Sequence, residues 1–154
     1  VLSIPSAPLY GTHWSISGEG VPEASAPDED VFLPGRNVLL FGAAAVWGGR
    51  HGVYEFVIGT LAGNPFPDAT AEFFQSYQSV LAMALGHEVR IGAPYFNRRK
   101  DELIREFQAL PLEYTLTCML PRDGIHCDHC AKCRERRDAF KCAEVLDRAR
   151  YAAL

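Results

Sequence analysis

Apolar side chains recur every three or four positions over residues 68–86, which is the period of an amphipathic helix. The pattern predicts a helix that begins near Asp68, a good N-cap, and ends at Gly86. Its predicted inward face consists of Phe73, Phe74, Tyr77, Val80, Leu81, Ala84 and Leu85. The same spacing predicts a second helix over 97–110, capped by Asn97. The inward face of this helix is expected to be Leu103, Ile104, Phe107 and Leu110.

Two further helices are predicted from runs of small and apolar residues. The turn "FLPGRN", residues 32–37, precedes an apolar stretch over 38–47 that is predicted to be a buried helix. Near the C-terminus a helix is predicted over about 134–153. Its apolar face is expected to be Ala139, Cys142, Leu146, Ala149 and Ala153.

Two short segments have the composition of strands: "VYEFVI" over 53–58 and "EVRIGAP" over 88–94. A predicted helix lies between them, so the fold class is α/β with parallel strands. Residues 1–30 are rich in Gly, Pro and Ser and are predicted to be mostly loop. Two strands are too few for a doubly wound sheet, and the sequence starts at Val1 rather than Met. We therefore expect an upstream portion of the domain to be absent from this sequence.

Composition narrows the classes of function. The chain has 154 residues, 48% of them hydrophobic, so a packed core is expected. The formal net charge of −4 disfavours a general nucleic-acid binder, because such proteins are usually basic. The longest apolar run, "VLLFGAAAVWGG", is shorter than the roughly 18 residues that a membrane span needs, so no membrane partner is expected. No signal peptide is visible.

Five cysteines lie in the last quarter of the chain, and four of them have metal-ligand spacing. The pattern C-x8-C-x2-C-x2-C runs through Cys118, Cys127, Cys130 and Cys133. Four thiolates complete the tetrahedral coordination of Zn2+, so the predicted site is structural rather than catalytic. Such a site carries a net charge of −2, which neighbouring basic residues are expected to compensate: Lys132, Arg134, Arg136 and Arg137.

The spacing leaves other ligand sets open. An iron–sulfur cluster would use Cys142 in place of Cys118. Against this, Cys142 is predicted to lie on the buried face of the last helix. His126 or His129 can substitute for a cysteine in zinc sites, and four free thiols are the remaining alternative.

Several segments occur in an order that is typical of one enzyme family. They are "GTHWSISG", "FLPGRN", "GNPFPDATAEFF", "RKDEL" and "LPLEYTLTCMLPRDGIHCDHCAKCRERRDAF". Over about residues 8–141 they resemble the 7-cyano-7-deazaguanine synthases, the ExsB-like branch of the PP-loop ATP pyrophosphatases. The cysteine block is the most specific part of this resemblance, followed by "PGRN" and "NPFPD".

The resemblance implies a fold and a reaction. Such proteins are cytoplasmic ligases with a Rossmann-like, adenine nucleotide alpha hydrolase-like parallel sheet and a zinc site near the C-terminus. In queuosine biosynthesis they convert 7-carboxy-7-deazaguanine and ammonia to 7-cyano-7-deazaguanine with ATP and Mg2+, through an adenylated carboxylate. The chain would then divide into the C-terminal part of a PP-loop domain, 1–112, and a zinc-binding segment with a terminal helix, 113–154. Homodimers are common in such families.

The sequence departs from the family pattern in its phosphate loop. The family binds ATP with a Ser-Gly-Gly-x-Asp-Ser loop, which this sequence does not contain; "SGEG" at 17–20 is the nearest approach. The usual "HCG" is "HCD" here, with Asp128, and the usual "TFSC" is "TLTC". We therefore expect the chain by itself to hydrolyse ATP poorly.

Four residues are candidates for the catalytic site. Arg36 and Asn37 lie at a turn before a helix, where a guanidinium can bind phosphate or carboxylate, although a turn residue and a helix cap explain them too. Asp68 can orient the base or the metal–nucleotide, or it can be an N-cap. Lys100 is unfavourable at a helix start, which suggests contact with phosphate, but a solvated charge is an equal alternative.

Two other functions remain open. A zinc-ribbon module can bind nucleic acid through basic residues such as Arg134, Arg136, Arg137 and Lys141, although the net charge argues against this. A PP-loop enzyme can also act on another substrate, such as tRNA. Trp14 can stack on a flat base and His13 can move protons, although a buried aromatic beside a satisfied histidine explains both residues equally well.

Overall fold

A computed structural model describes residues 1–152 of the chain in two compact units. The sheet unit comprises Val1–Pro5 and Phe32–Asn97, and the metal unit comprises Ser6–Val31 and Arg98–Leu154. This partition differs from the functional division at residues 112/113, which stays a prediction. The helices are α1 (Ala7–Tyr10), α2 (Trp14–Ser17), α3 (Arg36–Gly49), α4 (Ala71–Leu85), α5 (Lys100–Glu106) and α6 (Ala131–Ala143); the strands are β1 (Glu55–Val57) and β2 (Arg90–Gly92). Single 3-10 turns span Asp28–Val31, Pro67–Ala69 and Leu112–Tyr114.

The sheet unit confirms the predicted α/β class. Strands β1 and β2 pair in parallel, with Phe56 opposite Ile91. The helix α4 connects them, as parallel pairing requires. Helices α3 and α4 bury one face of the sheet around a core of Phe41, Ala45, Ala69, Phe74, Leu81 and Val89. Gly48 lies where α3 meets β1, and any Cβ there would clash with the ring of Phe56.

The other face of the sheet is open. Val57 is 66% exposed, whereas Phe56 beside it packs into the core. Parallel sheets are normally covered on both faces. Helix α3 is apolar on several sides, and its exposed residues include Leu40, Val46 and Trp47. By length and composition alone, one stretch, Asp28–Gly49, passes the criteria for a membrane span. The same stretch contributes Phe41 and Ala45 to the core, and core helices of soluble proteins pass this test too.

Helix α4 begins later than predicted. Its cap is Thr70, whose hydroxyl accepts a hydrogen bond from the N–H of Phe73 at 3.0 Å. Gly86 ends the helix in a left-handed conformation, as predicted. The predicted inward face is partly wrong, because Val80 is 51% exposed and Ala84 is exposed.

Helix α5 is shorter than the predicted 97–110. It begins at Lys100 and its cap is Arg99, whose backbone N–H donates to the Glu102 carboxylate at 3.1 Å. Asn97 therefore does not cap it. Ile104 is buried, but the helix ends at Glu106, and Leu110 lies beyond it with 56% of its surface exposed.

The prediction for the last helix was wrong in both bounds and face. Helix α6 ends at Ala143 because Glu144 adopts a left-handed conformation with φ 58°, and the N–H of Val145 turns back to the carbonyl of Phe140. Cys142 and Leu146 are exposed, and Ala153 lies outside the described residues. The buried face is instead Ala131, Cys133, Arg136, Phe140 and Ala143.

Candidate metal centre

Four cysteine sulfurs converge in the metal unit. The Sγ atoms of Cys118, Cys127, Cys130 and Cys133 all lie within 4.8 Å of one another. Cys133 Sγ lies 3.5 Å from that of Cys130 and 3.9 Å from that of Cys127. Sulfurs bound to one tetrahedral Zn2+ at about 2.3 Å are separated by about 3.8 Å, so the cage has the size that zinc requires. All five cysteines are free thiols.

Local structure aims each sulfur inward. A tight turn at 122–125 reverses the chain between the first two cysteines, and Asp123 and Gly124 both have positive φ there. Cys130 is the N-cap of α6 and Cys133 lies in its first turn. Residues 22–24 pair with 129–131, with the N–H of Ala131 donating to the carbonyl of Pro22 at 2.9 Å. Residues 22–24 thus hold in place the start of α6, which carries Cys130 and Cys133.

Backbone N–H groups point at the sulfurs. The N–H groups of Leu120 and Cys127 donate to Cys118 Sγ at 3.3 and 3.2 Å. Such hydrogen bonds stabilise thiolate ligands from outside the coordination sphere. Burial acts to raise the pKa of the Cys130 thiol, but hydrogen bonds from Met119, Cys133 and Cys127 outweigh it and lower this pKa to about 7.

Two other cage thiols, Cys118 and Cys133, resist ionisation. Burial raises the pKa of Cys118 and of Cys133, and the neighbouring Cys130 adds to both shifts. Four thiolates so close together need a cation to hold them, and a divalent soft metal supplies that charge. The donor set therefore fits zinc.

The alternative ligand sets fit less well. Cys142 is exposed and does not belong to the sulfur cluster, which removes the iron–sulfur arrangement that required it. His129 is exposed, and its Nδ1 bonds the carbonyl of Cys127 at 2.9 Å. His126 is fully buried with Nδ1 3.9 Å from Cys133 Sγ, which puts it beside a ligand rather than in place of one.

The basic residues around the cage do not act as free counter-charges, contrary to our expectation. Each of the four has a carboxylate partner: Lys132 with Glu135, Arg134 with Asp28, Arg136 with Asp147, and Arg137 with Asp128. Sequence spacing could not reveal this, because only Glu135 lies within one helical turn of its partner, whereas the partner of Arg134 is 106 residues away.

Arg136 is the most deeply buried charge of the metal unit, with 3% of its side chain exposed. Its guanidinium forms two hydrogen bonds with Asp147, at 2.7 and 2.9 Å, and donates to the carbonyls of Leu112 and Thr115. Burial opposes ionisation of Asp147, but the bonds from Arg136 and Tyr151 prevail and lower its pKa. This one side chain connects α6 to the segments on either side, a role that no sequence pattern indicated.

The first three candidate catalytic residues come together in the sheet unit. The backbone N–H of Asn37 donates to the Asp68 carboxylate at 2.9 Å, and its side-chain amide donates to the Asp68 carbonyl at 2.7 Å. Asn37 and Asp68 are both buried. Asp68 thus caps α3 rather than α4. Arg36 is exposed, and its guanidinium donates to Asn37 Oδ1 at 3.4 Å. Their catalytic assignment stays a prediction.

Lys100, the fourth candidate, belongs to the metal unit. Its ammonium contacts Glu135, which also accepts from Lys132 at 2.5 Å. Lys100 therefore links α5 to α6, and its proposed phosphate contact stays a prediction. His13 caps α2 by accepting from the N–H of Ser15, and its ring lies 5.1 Å from that of Trp14.

Comparison with known proteins decides the family. The family model described as Queuosine biosynthesis protein QueC matches residues 7–144. This chain belongs to the QueC family. The match includes the Phe32–Asn97 part of the sheet unit and all four cage cysteines, and it confirms the resemblance seen in the sequence.

Curated QueC relatives carry one name. A 7-cyano-7-deazaguanine synthase of Azoarcus sp. is 31% identical over 99% of this chain and 72% of its own length. A synthase of the same name from Methanocaldococcus jannaschii is 27% identical over 98% of this chain and 74% of its own. Another, from Chromohalobacter salexigens, is 35% identical over 78% of this chain and 49% of its own.

Proposed function

We propose that this chain works in the synthesis of 7-cyano-7-deazaguanine from 7-carboxy-7-deazaguanine, ammonia and ATP. The observation that carries the proposal is membership of the QueC family across residues 7–144, since the curated relatives are named for this product. The reaction is a cytoplasmic, ATP-dependent ligation that forms C–N bonds in queuosine biosynthesis.

The chemistry explains the need for ATP. Ammonia does not displace oxide from a carboxylate. Transfer of AMP to the carboxylate releases pyrophosphate and creates a good leaving group, so that ammonia gives the amide and free AMP. A second transfer of AMP, to the amide oxygen, lets loss of AMP and a proton give the nitrile. ATP is expected to bind with Mg2+, which neutralises phosphate charge.

Arg36 is the residue of the cluster best suited to contact the substrate. It is exposed at the start of α3, where a guanidinium can bind a carboxylate or a phosphate with two hydrogen bonds. Asn37 and Asp68 act as positioning residues, because they are buried and bonded to each other. The Asp68 carboxylate already occupies the N-terminus of the helix, so an incoming anion depends on the Arg36 side chain itself.

The zinc cage has a structural role in this proposal. Its four cysteines fill the coordination sphere and leave no position for water or substrate. ATP activation needs a Ser-Gly-Gly-x-Asp-Ser loop, which the 154 residues do not contain. We infer that a loop-bearing segment completes the enzyme.

The test is a protein in which the loop-bearing portion of a family member precedes Val1. Incubated with 7-carboxy-7-deazaguanine, ammonia and ATP, it is expected to form the nitrile and AMP, followed by liquid chromatography and mass spectrometry. Omission of ATP is expected to abolish product. Absence of nitrile from a folded, zinc-loaded protein, under conditions in which the intact relative is active, would overturn the proposal.

The role of Arg36 has its own test in the same protein. Arg36→Ala is expected to lower kcat/KM for the carboxylate substrate about 10- to 100-fold, the effect of losing a charged hydrogen-bond pair. Arg50→Ala, at the opposite end of α3, is the matched control and is expected to change kcat/KM little. Equal effects of the two substitutions would remove Arg36 from the binding site.

The nucleic-acid alternative has less support. Arg134, Arg136 and Arg137 are all engaged with carboxylates, which lowers the positive potential that a phosphate backbone needs. We therefore do not propose it.

A further inference from the structure

We propose that Tyr151 is a positioning residue of the metal centre: it clamps both sequence neighbours of Cys127 and thereby controls how readily this ligand, and with it the metal, is released. The inference does not depend on the proposed reaction. It requires only that the four-cysteine cage binds zinc.

The first arm of the clamp is His126. Its N–H donates to the carbonyl of Arg150 at 2.9 Å, and its carbonyl accepts from the N–H of Ala152 at 2.8 Å. The rings of His126 and Tyr151 lie 5.0 Å apart. His126 is also 1% exposed, so it has little freedom to move while the tail segment 150–152 stays paired with it.

The second arm is Asp128, which reaches Tyr151 through Arg137. The Asp128 carboxylate accepts from the Arg137 guanidinium at 2.6 Å, and that guanidinium stacks over the Tyr151 ring at 4.6 Å. Asp128 has a positive φ of 73°, a conformation that is uncommon for non-glycine residues but that aspartate adopts more readily than most, and its carboxylate is fixed there by Arg137. The residues before and after Cys127 are thus both fixed against one aromatic ring.

The ring itself is held in place. The Tyr151 hydroxyl donates to Asp147 at 2.6 Å, and Asp147 is bound to the buried Arg136. The clamp therefore connects α6, the tail and the cage.

Cys127 is the ligand for which such a clamp matters. It is only partly buried and lines an open cavity of about 360 Å³ together with Leu120, Ile125 and His129. Cys118 is partly buried too, but it does not line this cavity, and Cys130 and Cys133 are completely buried and fixed by α6. A competing chelator or an alkylating agent can approach from the cavity, so Cys127 is expected to be the first ligand that detaches.

The experiment uses the zinc-loaded 154-residue chain and a chromogenic chelator. Tyr151→Ala is expected to accelerate zinc release about 10-fold or more, in the range found for losses in the outer shell of metal sites. Tyr151→Phe keeps the ring but loses the hydroxyl bond to Asp147, so it is expected to accelerate zinc release less than Tyr151→Ala does. Tyr114→Ala removes an 84% exposed tyrosine of the same unit and is the control.

A second measurement separates a clamp from general loss of stability. Brief treatment with iodoacetamide followed by peptide mass spectrometry reports which cysteine reacts. In Tyr151→Ala and in Arg137→Met, Cys127 is expected to be labelled ahead of Cys130 and Cys133. Cobalt-loaded protein should keep the visible spectrum of a tetrahedral four-thiolate site. Simultaneous labelling of all four cysteines, or zinc release at the rate of the unsubstituted chain, would overturn the proposal.

Discussion

The two units of this chain are stabilised in different ways. The sheet unit relies on a small aromatic and aliphatic core and leaves one face of its two-stranded sheet open, with Val57 largely exposed. The metal unit has a smaller apolar cluster, built on Ile104, Phe140 and Ala143, but adds four converging thiols and a buried ion pair. Buried polar bonds hold the irregular segments of the metal unit, and a metal in the four-cysteine cage would add to this what a larger apolar core supplies elsewhere.

The difference predicts separate responses to metal removal. Cys133→Ser, or chelation of zinc from the unsubstituted chain, is expected to abolish hydrogen-exchange protection in α6, since zinc contributes about 10–16 kcal/mol to the folding of small zinc modules. Amides of α4 should keep their protection. Cys142→Ser removes an exposed thiol outside the cage and should leave zinc content unchanged. If the amides of α6 stay protected from hydrogen exchange without metal, the metal unit does not depend on metal for its stability, and the contrast between the two units is wrong.

The reciprocal test removes core from the sheet unit. Phe74 is 5% exposed and meets Phe41 edge to face at 5.9 Å. Phe74→Ala is expected to cost about 3–5 kcal/mol in the free energy of unfolding of this unit, measured by urea titration. Zinc content should not change. Met83→Ala on the same helix, where the side chain is 78% exposed, should cost less than about 0.5 kcal/mol.

Acid should weaken the metal unit through Asp147. Its pKa is lowered in the folded state, so its ionised form stabilises the fold above its unfolded pKa of about 3.9, and this contribution is lost as pH falls through the folded pKa. Asp147→Asn is expected to cost about 1.5–3 kcal/mol at pH 7. The difference between variant and unsubstituted chain should shrink below about pH 5 and tend to zero, as seen in thermal unfolding across pH. A constant difference would mean that the Asp147 charge is not responsible.

The smallest effect is expected at Asp128. Asp128→Gly relieves the positive φ but loses the contact with the half-exposed Arg137, so the net change should be within about 1 kcal/mol. Asp128→Ala loses the same contact and keeps the strain. It should therefore be less stable than the glycine variant by about 1 kcal/mol in thermal unfolding. Equal stability of the two variants would show that backbone strain is unimportant here.

Sequence patterns were sufficient where the determining residues are close together in the chain. The four cage cysteines span only residues 118–133, and α4 ends at Gly86 as predicted. Sequence patterns failed where a partner outside the local segment determines what a side chain bonds. Asp68 looked like the cap of the helix after it, but it bonds Asn37, 31 residues earlier. Arg136 was expected to compensate the charge of the cysteine site, but it is buried and paired with Asp147.

The end of α6 could not be predicted for a related reason. Glu144 adopts a left-handed conformation. Glycine or asparagine at this position would have predicted the end of the helix, but glutamate does not. The catalytic assignment rests on resemblance for all four candidates. Arg36, Asn37 and Asp68 contact one another at the start of α3. Lys100 instead bonds Glu135.

The reversal of the chain at Glu144 also sets a length requirement. Six residues separate this bend from Tyr151, and the segment 150–152 has to meet His126 in one alignment for the two backbone hydrogen bonds to form. One inserted residue between 144 and 147 would turn the tyrosine ring to the opposite side of the tail. In segment 144–152 the number of residues therefore matters as much as their identity.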